Sequence, residues 1–254
     1  MPDQHEYAGK EKNVRRNFGH KAKRKGKNMK YEHIIEGTFQ SRPNRFIAMV
    51  EADGETAKAH VKNTGRCREL FVPDAKIFLQ KHDNPNRKTK YSLIGVMKKD
   101  VMVNVDSQAP NHVVREWLEA GGIWENPEVI ASERTFENSR FDFYMEKENK
   151  KAFIEVKGVT LEEDGIARFP DAPTQRGVKH IKELIKCIEE GYEAYIIFVI
   201  QMKGIQAFEP NDKRHQEFGD ALREAAQAGV HVQAWDCKVE ADGLWIDRPI
   251  PVIL

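Results

Sequence analysis

Residues 194–200 are apolar at every position. A run of this length suits a strand buried on both faces, and it is far shorter than the roughly 20 apolar residues that cross a membrane. Helical spacing follows over residues 212–228, and a second strand pattern follows over residues 230–234. A strand, a helix and a strand in this order predict parallel strands covered by helices, and therefore a mixed α/β sheet.

The segments before this run extend the same domain. Apolar spacing predicts a helix ended by Gly121-Gly122 and a later helix that ends at Gly191, and between them we expect a polar loop over residues 161–173. The predicted helices are residues 111–120 and a segment from about 178 to 190, and the predicted strands are residues 128–136, 141–145 and 152–159.

The first half of the chain has a different pattern, in which short predicted strands are separated by turn residues. Five short strands within about seventy residues are typical of a small closed β-barrel of the OB type, although an SH3-like barrel has the same pattern. The five predicted strands are residues 31–39, 45–52, 56–61, 75–80 and 91–97.

Charge divides the chain into three parts. Residues 1–30 hold 10 basic and 3 acidic side chains, residues 31–102 hold 13 and 9, and residues 103–254 hold 18 and 28. A basic front end favours a polyanionic partner, whereas a solubility role for the basic tail stays open. We divide the chain into a basic disordered arm (1–28), a DNA-binding barrel (29–102) and an α/β domain (103–254).

Cysteine and histidine usage gives no sign of a disulfide framework or a zinc site. The three cysteines are far apart and form no CxxC pair, and the nine histidines lack the i, i+4 spacing of a helical metal site. No apolar leader or membrane-spanning run is present, so we expect a cytoplasmic protein with no membrane partner.

Two carboxylates in the second half are predicted to face each other. The charged run 146–151 has no apolar residue and is typical of a turn. A hairpin centred between Glu148 and Asn149 places Asp142 opposite Glu155, with Cβ atoms on the order of 5 Å apart. Lys157 shares the strand face of Glu155, because residues two apart in a strand point the same way.

This arrangement favours a metal-dependent hydrolase of phosphodiesters. Two adjacent carboxylates repel each other unless a cation lies between them, and Mg²⁺ or Mn²⁺ prefers carboxylate oxygens. Lys157 would activate a water or stabilise charge on a phosphate. The alternative is a surface hairpin with an ordinary ion pair, and Glu148-Asn149-Lys150 shows that Glu-x-Lys alone is a weak signal.

The same residues resemble a known family. Asp142 with Glu155-Val156-Lys157 resembles the PD-(D/E)xK nuclease pattern, and longer strings resemble the sugar fermentation stimulation protein family. These strings are Gly37-Thr38-Phe39, Arg42-Pro43-Asn44-Arg45-Phe46, His60-Val61-Lys62-Asn63-Thr64-Gly65-Arg66, Pro110-Asn111, Ser139-Arg140-Phe141-Asp142-Phe143, Glu155-Val156-Lys157-Gly158-Val159-Thr160, Phe169-Pro170-Asp171-Ala172-Pro173-Thr174 and Arg176-Gly177. The resemblance implies an α+β or α/β chain, in which an OB-like barrel precedes a mixed α/β PD-(D/E)xK nuclease-like domain. It also implies DNA binding and a link to sugar (maltose) metabolism, and it does not cover the arm.

Further residues are candidates around this pair. Glu133 lies on the preceding strand and is a candidate third metal ligand, or an ordinary surface glutamate. Thr174 is placed to cap a helix whose first turns carry Arg176 and His180, and such a helix start binds phosphate well. A rigid loop before a charged surface helix is the alternative.

In the barrel, the Asn63-Thr64-Gly65 turn offers backbone N–H groups to an anion, and Phe46 offers a ring on which a base can stack. The expected nucleic-acid contacts here are Arg42, Arg45, Phe46, Lys62, Asn63, Thr64 and Arg66.

The sequence therefore predicts a DNA-binding protein with a Mg²⁺- or Mn²⁺-dependent nuclease-type site at Asp142, Glu155 and Lys157. The alternative is a non-catalytic DNA-binding regulator on a nuclease-like scaffold. DNA against RNA, strandedness and homo-oligomerisation stay open.

Overall fold

The computed structural model describes residues 29–63 and 65–254, so the predicted arm 1–28 and Thr64 lie outside the described residues. The first domain contains six strands: β1 (Ile34–Asn44), β2 (Ile47–Ala52), β3 (Glu55–Val61), β4 (Lys76–Lys81), β5 (Tyr91–Lys98) and β6 (Val101–Asn104).

These strands form one sheet that closes on itself. Their order is β3-β2-β1-β4-β5-β6, and an additional parallel pairing of β3 with β5 closes a five-stranded barrel. Alternate residues such as Phe39, Val50 and Leu93 are buried in its interior. The predicted OB-type barrel is confirmed, and β6 runs across the predicted domain boundary after residue 102.

The second domain contains the remaining elements: α1 (Ala109–Glu119), β7 (Val129–Phe136), β8 (Ser139–Lys147), β9 (Lys150–Val159), β10 (Glu162–Glu163), β11 (Ile166–Phe169), α2 (Gln175–Glu189), β12 (Glu193–Ile200), β13 (Ala207–Pro210), α3 (Asp212–Gln227), β14 (His231–Glu240) and β15 (Gly243–Ile250). Its main sheet has the order β15-β14-β12-β9-β8-β7. Parallel pairing joins β9, β12 and β14, as the strand–helix–strand pattern predicts.

The apolar strand β12 lies at the centre of this sheet because both of its faces are covered. Ile196 and Phe198 belong to the core beneath α2 and α3, whereas Ile197 and Val199 belong to the core beneath α1. Burying each such side chain stabilises the fold by about 1.5–3 kcal/mol. In the described ranges, no helix is long and apolar enough to cross a membrane.

The segment predicted as a polar loop, 161–173, contains two short strands, which corrects that prediction. β10 and β11 form a hairpin, and β11 also pairs in parallel with β13 to give a small third sheet. Phe169 at the end of β11 packs against Phe198 and Phe218, with ring centroids 5.8 and 5.2 Å away. This packing fixes the loop that leads into α2.

The two domains are joined by hydrogen bonds between β6 and the end of β12. The backbone N–H of Asn104 donates to the carbonyl of Gln201 at 2.9 Å. Tyr31 and Lys62 of the first domain donate to the buried carboxylate of Asp106 at 3.3 and 3.0 Å. Hydrophobic residues of both domains also form one continuous core cluster, so the domains pack as a unit.

Candidate active site

The candidate site begins with the β8–β9 hairpin. Phe143 pairs with Ile154, and the pairing continues to Lys147 and Lys150 at the turn, which is the predicted register. Glu148 adopts a left-handed conformation at this turn (φ 53°). Asp142 and Glu155 lie one residue beyond this pairing, and they are close enough for the charge of Glu155 to act on Asp142.

Asp142 is held by two hydrogen bonds. Its Oδ1 accepts from Asn111 Nδ2 at 2.8 Å, and its Oδ2 accepts from the backbone N–H of Val156 at 2.8 Å. Burial and the neighbouring charge of Glu155 raise the pKa of the Asp142 carboxyl above its ordinary value, and the two hydrogen bonds only partly offset this effect. Asn111 has no assigned role at the sequence level, although the Pro110-Asn111 string is among those that carry the resemblance.

Glu155 is 3% exposed, and its two oxygens differ in their contacts. Oε1 accepts from Lys157 Nζ and from His180 Nδ1, both at 2.6 Å. Oε2 is buried and has no hydrogen-bond partner among the residues that the structure describes. Burial alone would raise the pKa of Glu155, but the hydrogen bond from His180 and the charge of Lys157 outweigh it and hold the pKa below its ordinary value.

His180 lies on α2 and is buried against this pair, and its predicted contact with nucleic acid stays a prediction. Its Nε2 accepts from Arg176 Nε at 3.3 Å, so the ring proton must be on Nδ1, which donates to Glu155. The i, i+4 spacing of Arg176 and His180 reveals that they are neighbours on one helix face. The sequence gives no sign that this face packs on Glu155.

Thr174 caps α2 as predicted, because its Oγ1 accepts from the backbone N–H of Gly177 at 3.1 Å. Arg176 in the first turn has an exposed side chain. The helix start therefore presents a cation close to the loop that leads out of β11.

Glu133 does not join the carboxylate pair. It has a left-handed backbone (φ 54°), its side chain is 67% exposed, and its Oε2 lies 3.6 Å from Arg140. Within residues 29–63 and 65–254, no group of three His, Cys, Asp or Glu side chains is placed to hold a metal ion. The structure thus offers two carboxylates rather than the predicted three.

A cleft of about 710 Å³ separates the barrel from the loop before α2. Arg45, Arg66 and Arg68 line its barrel side and are exposed, and residues 169–174 line the opposite side. These three arginines have no carboxylate partner among the residues that the structure describes. Phe46 beside the cleft is half exposed, and the guanidinium of Arg45 lies 5.8 Å from its ring.

Arg42 and Lys62 are already engaged by the protein, unlike these arginines. Arg42 donates to the carbonyls of Asn63, Gly65, Arg66 and Arg45 at 2.6 to 2.9 Å. Arg42 also lines the cleft, but its guanidinium is engaged in shaping this turn, and its predicted contact with nucleic acid stays a prediction. Lys62 is paired with Asp106, and Asn63 Oδ1 accepts from Gly65 N at 2.8 Å.

Comparison with known protein families finds two family models that match this chain. The SfsA N-terminal OB domain matches residues 41–105, and the sugar fermentation stimulation protein RE domain matches residues 108–243. The chain belongs to the sugar fermentation stimulation protein (SfsA) family. The two models meet between residues 105 and 108, directly after β6.

Relatives cover nearly the whole chain. The sugar fermentation stimulation protein homolog of Clostridium beijerinckii is 58% identical over 89% of this chain and 100% of its own length. That of Desulfitobacterium hafniense is 58% identical over 85% of this chain and 94% of its own. The structure of Pyrococcus furiosus SfsA in complex with Ca²⁺ is similar with a TM-score of 0.81 at 26% identity, covering 90% of this chain and all of that one.

Proposed function

We propose that this protein is a metal-dependent, nuclease-type phosphodiesterase that binds DNA between its two domains. The observation that carries the proposal is the pair Asp142 and Glu155, in which Glu155 Oε2 is buried and lacks a hydrogen-bond partner in residues 29–63 and 65–254. A buried carboxylate oxygen without a partner costs free energy that a bound cation would recover.

The donor set fits a hard divalent cation. Mg²⁺ is commonly held by one or two carboxylates together with water and substrate oxygens, so two carboxylates suffice. Asp142 and Glu155 would hold Mg²⁺ or Mn²⁺, which supplies positive charge against the negative charge that develops on a phosphate. The Pyrococcus relative was solved with Ca²⁺, a cation that also prefers oxygen ligands.

The remaining residues of the site have roles that follow from their contacts. Lys157 is a cation beside Glu155, and its side chain is 15% exposed, so it can reach a phosphate oxygen without much competing solvent. Asn111 and His180 each hold one carboxylate oxygen, which orients the pair. We infer that these two are positioning residues and that Lys157 contacts the reacting phosphate.

The cleft supports DNA as the ligand. Arg45, Arg66 and Arg68 are exposed cations on one wall, and Arg176 lies at the start of α2 near the other. Cations that follow a groove neutralise successive phosphates, and an exposed ring such as Phe46 stacks on unpaired bases. We place this activity in the cytoplasm.

A second candidate is a non-catalytic DNA-binding regulator of sugar (maltose) metabolism. It is favoured by the lack of a third acidic ligand beside Asp142 and Glu155 in the described part of the chain. It is also favoured because the ion pair with Glu155 is enough to explain the position of Lys157 without a catalytic role.

Labelled DNA separates the two candidates. Wild type should cleave with Mg²⁺ or Mn²⁺ and not with EDTA, and Lys157→Ala should lower the cleavage rate by about a hundredfold or more, because one transition-state group is lost. DNA affinity should change little. Lys150→Ala is the matched control, since Lys150 is an exposed lysine on the same strand that pairs with Glu193.

Single-stranded, duplex and branched DNA, and RNA, should be compared. A wild type that cleaves none of them with either metal, while still binding DNA, would exclude the hydrolase and leave the regulator. Equal losses in Lys157→Ala and Lys150→Ala would remove Lys157 from the mechanism.

A further inference from the structure

A second, smaller cavity lies between the domains, next to the proposed active site. It has a volume of about 180 Å³ and is lined from three directions. Gly158, which follows Lys157 on β9, contributes one wall. Asn63 and Gly65 of the barrel contribute another, and Phe169 and Asp171 contribute a third. Its volume equals that of about six water molecules at about 30 Å³ each, which suits one planar base.

Gln201 supplies a hydrogen-bond acceptor to this cavity. The side chain is 1% exposed, and its Nε2 donates to the carbonyls of Asn104 and Asp106 at 3.1 and 3.0 Å, and to Asn104 Oδ1 at 2.9 Å. These acceptors fix the amide orientation. Oε1 lies over Gly158, which lines the cavity, because a Cβ on Gly158 would be 2.7 Å from it.

Asp171 supplies a second acceptor. Its Oδ2 lies against Gly65, where a Cβ would be 2.7 Å away, and it also borders the arginine-lined cleft. Within the part of the chain that the structure describes, no cation lies within 4.0 Å of this carboxylate. The ring of Phe169 adds a flat apolar wall, held in place by Phe198 and Phe218.

We propose that this cavity binds a guanine base of the nucleotide next to the cleaved phosphate. The inference rests on the proposed function, because it requires a nucleic acid in the adjoining cleft. Two acceptors match the ring N–H and the amino group that lie side by side on the pairing edge of guanine. Adenine and cytosine present an acceptor beside their amino group, and thymine presents its single N–H between two carbonyls. Each of these bases would therefore place at least one acceptor against the acceptor of Asp171 or Gln201, which is unfavourable.

Mononucleotides test this recognition without cleavage. Calorimetry on the full-length protein in EDTA should show tightest binding for dGMP and about tenfold weaker binding for dIMP, which lacks the amino group. Asp171→Asn should weaken dGMP binding by about tenfold or more and remove the preference over dIMP. Asp164→Asn is the matched control, because Asp164 is an exposed acid in the β10–β11 turn and undergoes the same change of charge.

The oligonucleotide dT12 separates base recognition from phosphate binding. Asp171→Asn should leave dT12 binding unchanged or slightly tighter, because it removes a negative charge beside the arginines. If wild type binds dT12 but shows no preference for dGMP, or if Asp171→Asn binds dGMP like wild type, the base site is wrong and the proposed function stands. If wild type binds neither dT12 nor any mononucleotide, the DNA-binding proposal itself fails.

Discussion

Glu155 is a buried carboxylate whose neighbours stabilise its charge on one side only. Moving such a group out of water costs several kcal/mol unless it is paired and hydrogen-bonded. Lys157 and His180 donate to Oε1, whereas Oε2 receives no hydrogen bond from the described part of the chain. Burial raises the pKa of Glu155, but the donors to Oε1 hold it below its ordinary value, and in the proposed function His180 would position this carboxylate for a cation.

This role for His180 gives a prediction about metal affinity. His180→Leu removes the donor to Glu155 Oε1, and a loss of this kind typically weakens metal binding by about 10–100-fold. His180→Asn keeps an N–H donor close to the position of Nδ1 and should restore most of the affinity. Mn²⁺ titration followed by electron paramagnetic resonance measures both variants. Equal weakening in Leu and Asn, or no weakening in either, would contradict a positioning role.

The carboxylate pair follows from the sequence, but its supporting residues do not. Asp142 and Glu155 lie on one hairpin, so a charged turn and a two-residue period determine their register. His180 and Asn111 reach the pair from α2 and α1, which pack on opposite faces of the sheet. Which helix residue meets which strand residue depends on packing, which periodicity does not specify.

The strands of the second domain differ in how well the sequence predicts them. The central strands β9 and β12 are predictable because long apolar segments require burial. Strand β15 is missed because it is an edge strand with Asp247, Arg248 and Pro249 near its end, and β10 has only two residues. Short strands and edge strands are stabilised mainly by pairing with a neighbouring strand. The residues of such a strand alone therefore predict it poorly.

Helix α2 depends on its cap, which gives a stability prediction. Thr174→Ala removes the acceptor for the backbone N–H of Gly177 and should lower the free energy of unfolding by about 1 kcal/mol. Thr174→Ser keeps the hydroxyl and is the control. Urea denaturation followed by circular dichroism measures the difference. An alanine variant as stable as the serine variant would show that the cap contributes nothing.

Across the whole molecule, acidic and basic side chains are concentrated in different domains. The acidic second domain holds the carboxylate pair, whereas the barrel contributes the exposed arginines of the cleft. The domains are fixed to each other through Gln201, Asn104 and Asp106, so the cleft width is set by the fold. The sequence predicts this division of charge. It does not predict the cleft, which exists only once the domains pack.

The position of Arg45 and Arg66 in the cleft gives a prediction for the intact protein. Reversing both charges with Arg45→Glu and Arg66→Glu should weaken DNA binding and flatten its salt dependence, by about one unit of log–log slope for each phosphate that the protein no longer neutralises. Lys58→Glu with Lys88→Glu is the matched control, because both lysines are exposed on the barrel outside the cleft and give the same change of net charge. Fluorescence anisotropy with labelled DNA at several salt concentrations measures both slopes. If the two double variants flatten the slope equally, the barrel attracts DNA through its general charge, and the cleft is not the path of the strand.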